Sequence, residues 1–252
     1  MKTLPLGLLS FLFMWFLPTR SAASPVAGPS ATIVVFGDST TAPDPDPAVP
    51  VYGTLLAADL TARLGFPVRV VNAGVRGNTT ADAARRFERD VLAAAPDLVV
   101  LQFGINDATI DVWKQPPATE PRVSLAAYGD NLRHFVAVLR ARGARVVLMT
   151  PNRLAWTPRL LELYGRPPYD PRDPQGLNVN LVRYAAEVRR VAAEMGTPLV
   201  DVMAAHAEAA RRPAEPLLSD GMHPNRRGHA LVARLLADAI VASGFPPAPP
   251  GR

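Results

Sequence analysis

Short apolar runs alternate with longer segments of helical periodicity along most of this chain, and this alternation limits the fold more than any other feature. Residues 33–36, Ile-Val-Val-Phe, form an unbroken run typical of a strand buried on both faces. Strands that alternate with helices predict a parallel sheet covered on both faces and linked by right-handed crossovers. The predicted strands occupy residues 33–36, 68–71, 98–103, 146–149 and 199–202, and the predicted helices occupy residues 52–64, 79–94, 124–142, 178–195 and 226–242.

A serine stands where the first predicted strand ends. Gly37, Asp38 and Ser39 follow the apolar run directly, and ligands of open α/β sheets bind at the carboxyl ends of the strands. Because Gly37 permits a tight turn, Ser39 is placed for chemistry. Residue type alone also allows a simpler interpretation, in which the Ser39 hydroxyl only caps the next helix.

Hydrogen-bond donors follow the next two strands at the same predicted edge. The second strand leads into a turn of small residues with a backbone amide at Gly74, and the third ends at Gly104, two residues before the carboxamide of Asn106. A serine nucleophile needs such donors, because they stabilise the oxyanion that forms when a carbonyl is attacked. Asp107 is expected to stabilise the turn through local hydrogen bonds instead.

One of the four histidines is placed to act as a general base. His223 lies in a loop before the last predicted helix, and Asp220, three residues earlier, can accept a hydrogen bond from its ring. The pair therefore offers Ser39 a base together with its orienting acid. The other histidines lie in predicted helices or in an alanine-rich turn after the fifth strand, where packing explains them: His134, His206 and His229.

Four spaced blocks, FGDSTT, NAGVRGNTT, QFGINDA and SDGMHPN, together resemble the SGNH hydrolase superfamily, also called GDSL-type esterases and lipases. The FGDST block in particular resembles the carbohydrate acetylesterase branch. The resemblance implies that Ser39 is the nucleophile, His223 the base and Asp220 the orienting acid. It also implies an oxyanion hole made by the Ser39 amide, the Gly74 amide and the Asn106 side chain.

Two long stretches, residues 111–123 and 152–177, interrupt the alternation after strand ends and are expected to form the walls of a cleft. A short helix is expected at residues 160–163. Aromatic side chains beside polar groups suit sugar rings, although aromatic residues also anchor loops to a core. Arg76 stands where SGNH relatives often carry Ser or Ile, and it is expected to face the cleft. The substrate-binding candidates are Asp38, Arg76, Trp156, Tyr164 and Tyr169.

These features together predict a secreted serine esterase on a flavodoxin-like three-layer α/β/α fold with a five-stranded parallel sheet. We expect it to hydrolyse short-chain acetyl esters on carbohydrates through an acyl-serine intermediate. The enzymatic alternatives are a lysophospholipase, a thioesterase or an arylesterase that acts on longer acyl chains. Alternatives of another class are a non-catalytic carbohydrate-binding module and a flavin-binding module, the latter because Ser39 could hold a phosphate. The flavin-binding alternative leaves Asp220, His223 and Asn106 without a role.

The N-terminal residues are typical of a signal peptide, with Lys2, an apolar run over residues 4–17 and small residues at 21–23. The absence of cysteine excludes a lipidated cysteine and disulfides. The expected location is secreted or periplasmic, with no stable membrane insertion after cleavage. We expect a signal peptide at residues 1–23, a disordered leader at 24–30, a single SGNH hydrolase domain at 31–245 and a flexible tail at 246–252.

The family resemblance implies a small-molecule or oligosaccharide ester as the binding partner, and the charge pattern gives little support to nucleic-acid binding. The net charge is +5, but acidic residues interleave with Arg85, Arg86 and Arg89, which indicates a solvated helix face rather than a nucleic-acid site. Asp44 and Asp46 lack the glycine turn and the further acidic ligands of a calcium loop. We therefore expect no nucleic-acid partner, no metal, no cofactor, and a monomer or weak oligomer.

Overall fold

The computed structural model describes residues 30–211 and 215–246 of the 252-residue chain. The expected signal peptide lies outside these residues, as do the expected leader before residue 30 and the expected tail after residue 246. Within the described part of the chain, no helix has the length and apolarity required to cross a bilayer.

A five-stranded parallel sheet forms the centre of the protein, in the order β2-β1-β3-β4-β5. In the register of the sheet, Gly37 at the end of the first strand pairs with Gly74 on one side and Gln102 on the other. Three strand ends therefore meet at one edge, as the sequence predicts. The strands are β1 (Ala31–Gly37), β2 (Val68–Gly74), β3 (Leu98–Gln102), β4 (Arg145–Met149) and β5 (Leu199–Val200).

Helices cover both faces of this sheet. In the described residues they are α1 (Tyr52–Leu64), α2 (Thr80–Asp90), α3 (Ile105–Ala108), α4 (Leu125–Ala141), α5 (Pro158–Tyr164), α6 (Leu181–Glu194), α7 (Val202–Ala209) and α8 (Arg226–Ala242).

The side chains of β1 alternate between two apolar clusters, because successive residues of a strand point to opposite faces. Val34 and Phe36 pack with buried residues of α2, α4 and α6. Ile33 and Val35 pack with buried residues of α1 and α8. The two clusters lie on opposite faces of the sheet, which confirms the predicted flavodoxin-like α/β/α arrangement.

The structure differs from the sequence-based boundaries mainly around the fifth strand. The carboxylate of Asp201 accepts a hydrogen bond from the Ala204 amide at 3.0 Å and caps α7. The strand therefore stops at Val200, and His206 lies in a helix, so the prediction of an alanine-rich turn is wrong. The helix expected over residues 79–94 ends at Asp90 and is followed by a 3₁₀ turn at Leu92–Ala94.

The two long stretches pack against each other through a third apolar cluster. Ile110 and Val112 contact side chains of α5 and the loop that follows it, including Tyr164, Tyr169 and Leu177. The short helix expected at residues 160–163 is present as α5, which the Thr157 hydroxyl caps at its N-terminus. This cluster holds the two stretches together at the edge of the sheet where β3 and β4 end.

Candidate active site

Ser39, His223 and Asp220 form a continuous chain of hydrogen bonds at the carboxyl edge of the sheet. The Ser39 Oγ lies 2.9 Å from His223 Nε2, and His223 Nδ1 lies 2.7 Å from Asp220 Oδ2. Because a carboxylate can only accept, Nδ1 carries the ring proton, and Nε2 is left to accept the hydrogen bond of the serine hydroxyl. Sequence reasoning had grouped these three residues, and the structure brings them together.

The turn that carries His223 is fixed by its own backbone. The Asp220 Oδ1 accepts hydrogen bonds from the amides of Met222 at 2.9 Å and His223 at 2.8 Å. Burial opposes ionisation of Asp220, but these bonds and the bond from the imidazole hold its pKa below the ordinary value. Gly221 has φ +87, and a Cβ there would overlap the carbonyl oxygen of Ala155. The turn therefore presents an ionised carboxylate to the imidazole.

A tight turn after β1 positions Ser39. The carbonyl of Asp38 accepts from the amides of Thr41 at 3.2 Å and Ala42 at 3.0 Å. The hydroxyls of Thr40 and Thr41 both donate to Oε1 of Gln102, at 2.6 and 3.0 Å. These bonds tie the turn to the end of β3, which the sequence pattern did not reveal.

Asp38 supports this turn from within and is not available to a substrate. Its side chain is fully buried, and Oδ1 accepts from the Thr40 amide at 2.9 Å and lies 2.9 Å from the Thr40 hydroxyl oxygen. Burial raises the pKa of Asp38 to about 6, although the bonds from Thr40 act in the opposite direction. The expectation that Asp38 binds substrate is therefore corrected, because a carboxylate without accessible surface cannot meet a ligand.

Asn106 lies at the start of α3, and both ends of its carboxamide are held. Its Nδ2 donates to the carbonyl oxygen of Asn78 at 3.1 Å, and its Oδ1 accepts from Arg122 Nη1 at 3.1 Å. An amide nitrogen carries two hydrogens, so the bond to Asn78 leaves one N–H of Asn106 for another acceptor.

Gly74 has a packing role that the sequence did not predict. Its amide donates to Asn72 Oδ1 at 2.9 Å, and Asn72 Nδ2 in turn donates to the carbonyl of Thr41 at 2.7 Å. A Cβ at Gly74 would overlap the backbone of Ala42. The Gly74 amide is therefore occupied, whereas the Gly77 amide, in the same turn at φ +76, has no acceptor among the described residues.

Asp107 acts over a longer range than expected. Its Oδ1 accepts from the amide and hydroxyl of Thr80, at 2.8 and 2.6 Å, and so joins the end of β3 to the start of α2. Burial raises the pKa of Asp107 to about 6, and the bonds from Thr80 oppose this. The expectation of purely local hydrogen bonds is corrected accordingly.

Arg86 was expected on a solvated helix face, but it is buried beneath the site. Its guanidinium donates to the carbonyls of Ala73 at 2.7 Å and Gly37 at 3.0 Å, and it lies 4.5 Å from the centre of the Phe36 ring. It thus satisfies carbonyl groups at the ends of β1 and β2. Its spacing from Phe87 and Ala83, on the buried face of α2, was the available signal.

The remaining substrate-binding candidates differ in their exposure to solvent. Arg76 is exposed and donates to the carbonyl of Pro43 at 2.8 Å, in the loop after Ser39. Tyr164 and Tyr169 are buried, and their rings pack edge to face at 5.5 Å. The hydroxyl of Tyr169 also accepts from the Ile110 amide at 2.9 Å. The two tyrosines therefore anchor the two long stretches to each other, and both also line a small cavity together with Ile105 and Met222.

Trp156 is half-buried and lines a cavity of about 530 Å³. Its Nε1 donates to the carbonyl of Asp173 at 3.0 Å, which fixes the indole ring. The cavity also contacts Gly221, the residue after Asp220, so it adjoins the turn that carries His223. Its polar lining includes Arg153, Gln175, His206 and Glu215.

Two buried histidines make an acid-sensitive contribution to stability. Burial lowers the pKa of both His206 and His229 to about 4. Between pH 6.5 and 4 the unfolded chain binds protons at these residues that the folded chain does not bind, so their contribution to stability falls as the pH falls. Asp38 and Asp107, with raised pKa values of about 6, act in the opposite direction over the same range.

We therefore expect His206→Leu to remove the part of the stability loss at acid pH that comes from the His206 ring. From pH 7 to pH 4, its free energy of unfolding relative to wild type should increase by on the order of 3 kcal/mol. Denaturant unfolding at several pH values measures this difference. A pH-independent difference for His206→Leu would contradict the expectation.

Comparison with known proteins agrees with this geometry. The sequence profile of the GDSL-like Lipase/Acylhydrolase family matches residues 35–231. An acetylxylan esterase from Geobacillus stearothermophilus is 32% identical over 171 residues, which cover 66% of this chain and 69% of that protein. An arylesterase from Vibrio mimicus is 24% identical over 236 residues, which cover 93% of this chain and 97% of the relative.

A crystal structure of an acetylxylan esterase from Geobacillus stearothermophilus superposes with a TM-score of 0.67 at 27% identity, covering 83% of this chain and 94% of the other. The fold, the family profile and the related sequences therefore agree with the resemblance that the four sequence blocks indicate. The chain belongs to the GDSL-like lipase/acylhydrolase family of the SGNH hydrolase superfamily, and it is a carboxylic ester hydrolase.

Proposed function

We propose that this protein is an exported serine esterase that removes acetyl groups from carbohydrates through an acyl-serine intermediate. The observation that carries the proposal is the hydrogen-bonded chain from Ser39 through His223 to Asp220. That arrangement supplies a nucleophile, a base and an orienting acid in contact with one another.

The reaction follows from these contacts. Ser39 Oγ attacks the ester carbonyl carbon while His223 Nε2 takes the hydroxyl proton, and the ionised Asp220 stabilises the resulting imidazolium. The tetrahedral intermediate then expels the alcohol oxygen, which takes the proton from Nε2 and leaves an acyl group on Ser39. A water molecule attacks this acyl group with His223 again as base, releasing the acid and restoring the serine hydroxyl.

Three donors are proposed for the oxyanion. The Ser39 amide and the remaining N–H of Asn106 keep the roles that the family resemblance implies. The third role moves from Gly74 to Gly77, because the Gly74 amide already donates to Asn72, whereas the Gly77 amide has no acceptor among the described residues. Gly77 also precedes Asn78, whose carbonyl holds the Asn106 carboxamide.

The preference for a short acyl group is supported by the similarity to an acetylxylan esterase, whose name describes the removal of acetyl groups. The related acetylxylan esterase and the Trp156 cavity beside the His223 turn support a saccharide as the alcohol half.

The proposal predicts that acetyl esters are cleaved faster than octanoyl esters. A series of nitrophenyl esters of increasing acyl length measures this, and acetylated xylo-oligosaccharides test the alcohol half.

Trp156→Ala should lower kcat/KM on the oligosaccharide by about three- to tenfold, because one stacking surface is lost, and should change it less on nitrophenyl acetate. Trp113→Ala, at an exposed tryptophan in the other long stretch, is the matched comparison.

Preference for octanoyl or longer chains would overturn the acetyl proposal. That outcome would favour the arylesterase, lysophospholipase or thioesterase alternatives, the first of which has support from the Vibrio mimicus relative. A non-catalytic carbohydrate-binding module predicts instead that binding continues without hydrolysis in the wild-type protein, and a flavin-binding module predicts a coloured purified protein.

Export rests on the N-terminal pattern of Lys2, the apolar run and the small residues that follow it. N-terminal sequencing of the extracellular or periplasmic protein tests it, and an intact Met1 on the exported protein would contradict cleavage near residue 23.

A further inference from the structure

The guanidinium of Arg122 joins a buried carboxylate to the Asn106 carboxamide. Its Nη2 and Nε lie 2.7 and 3.1 Å from the two carboxylate oxygens of Asp111, whose side chain is only 3% exposed. Its Nη1 lies 3.1 Å from Asn106 Oδ1. The backbone is fixed as well, because the Arg122 amide donates to the carbonyl of Thr109 at 3.0 Å. One side of the guanidinium is thus anchored, and the other contacts a proposed oxyanion donor.

These contacts determine which way the Asn106 carboxamide points. Rotating it by 180° would place its oxygen against the carbonyl oxygen of Asn78 and its NH₂ group against the guanidinium of Arg122. The first pairing has two acceptors and the second has two donors, so neither neighbour can form a hydrogen bond with the rotated carboxamide. The observed orientation keeps Nδ2 on the side of Asn78 with one N–H still available.

A charged donor on Oδ1 also strengthens the opposite end of the amide. Hydrogen bonds polarise one another along a chain, and those from ionised groups are the stronger ones. A guanidinium that draws electron density toward Oδ1 makes the Nδ2 hydrogens better donors to a developing negative charge.

We propose that Arg122 is a positioning residue for ester hydrolysis, which orients the Asn106 carboxamide and strengthens its N–H toward the oxyanion. The inference rests on the proposed role of Asn106 as an oxyanion donor. Arg122 acts through Asn106 and does not need to touch the substrate. Asp111 holds the guanidinium in place. The same carboxylate forms a second ion pair with Lys114, whose Nζ lies 2.8 Å from Asp111 Oδ2.

Arginine suits this task because it can bond along two edges at once. A lysine carries the same charge on a single ammonium, so it can pair with Asp111 but does not reproduce the fork that reaches Asn106. Arg122→Lys therefore removes the contact to Asn106 while leaving Asp111 with a cation. Arg122→Met removes both contacts and leaves Asp111 with Lys114 alone.

The test is a double-mutant cycle of Arg122→Lys and Asn106→Ala, with kcat and KM measured separately on nitrophenyl acetate. We expect Arg122→Lys to lower kcat about tenfold with KM changed by less than about twofold. In the Asn106→Ala background, the same substitution should have no further effect on kcat, because the group through which it acts is gone. Lys114→Met is the matched control and should leave kcat unchanged.

Four results would overturn the inference: losses that multiply in the double variant, a raised KM with normal kcat, wild-type kcat in Arg122→Lys, or an equal loss of kcat in Lys114→Met. The last would mean that the neighbourhood of Asp111 matters only for stability. Thermal unfolding checks that each variant is folded, and Arg122→Lys carries the test if Arg122→Met does not fold. Normal kcat in Asn106→Ala alone would instead reject the proposed oxyanion role of that residue.

Discussion

Ser39→Ala should lose essentially all ester hydrolysis, with kcat reduced by roughly 10⁴-fold or more and the fold unchanged. The reason is that His223 Nε2, which Asp220 orients through Nδ1, lies within hydrogen-bond distance of Ser39 Oγ and serves as its base. His223→Ala should show a loss of similar size, and the double variant should be no worse than either single variant, because the residues act as one unit.

Steady-state kinetics on nitrophenyl acetate measures this loss, and mass spectrometry after treatment with a fluorophosphonate should place the label on Ser39. Ser243→Ala provides a matched control, since its hydroxyl bonds the carbonyl of Ile240 at the end of α8 and does not contact the site. Substantial activity in Ser39→Ala would reject the proposed mechanism.

Asn106→Ala is expected to show the second largest effect, lowering kcat by roughly 10²- to 10³-fold. Its N–H meets the oxyanion only as negative charge develops, so KM should change little. A normal kcat with a raised KM would assign Asn106 to substrate binding instead. Asp107 offers a contrast at the next position, because its bonds to Thr80 connect β3 with α2 and its replacement by asparagine should lower thermal stability.

The part of the fold that could be predicted follows from local pattern. The strands buried on both faces carry continuous apolar runs, so their positions and their parallel arrangement were recoverable from the sequence. Ser39, Asn106 and His223 stood out because polar residues directly follow those runs or precede a helix. The family resemblance then supplied the grouping of these residues into a single site.

What could not be predicted depends on partners distant in sequence. Tyr169 was expected to bind substrate, because the sequence does not show its hydrogen-bond partner, Ile110, which lies 59 residues away. Arg86 looked like a surface cation because its acceptors are carbonyl groups of β1 and β2. The turn at residues 74–77 was found, but the amide that remains available could not be identified before the bond between Gly74 and Asn72 was seen.

The hydrogen bond between Ser39 and His223 closes a loop of 184 residues. One partner follows the first strand, and the other precedes the last helix. Every strand of the sheet except β1 lies within that loop. Contacts between residues so far apart form late, because the chain must first lose much of its conformational freedom. Recovered hydrolysis during refolding therefore reports that the segments before β2 and after β5 have come together.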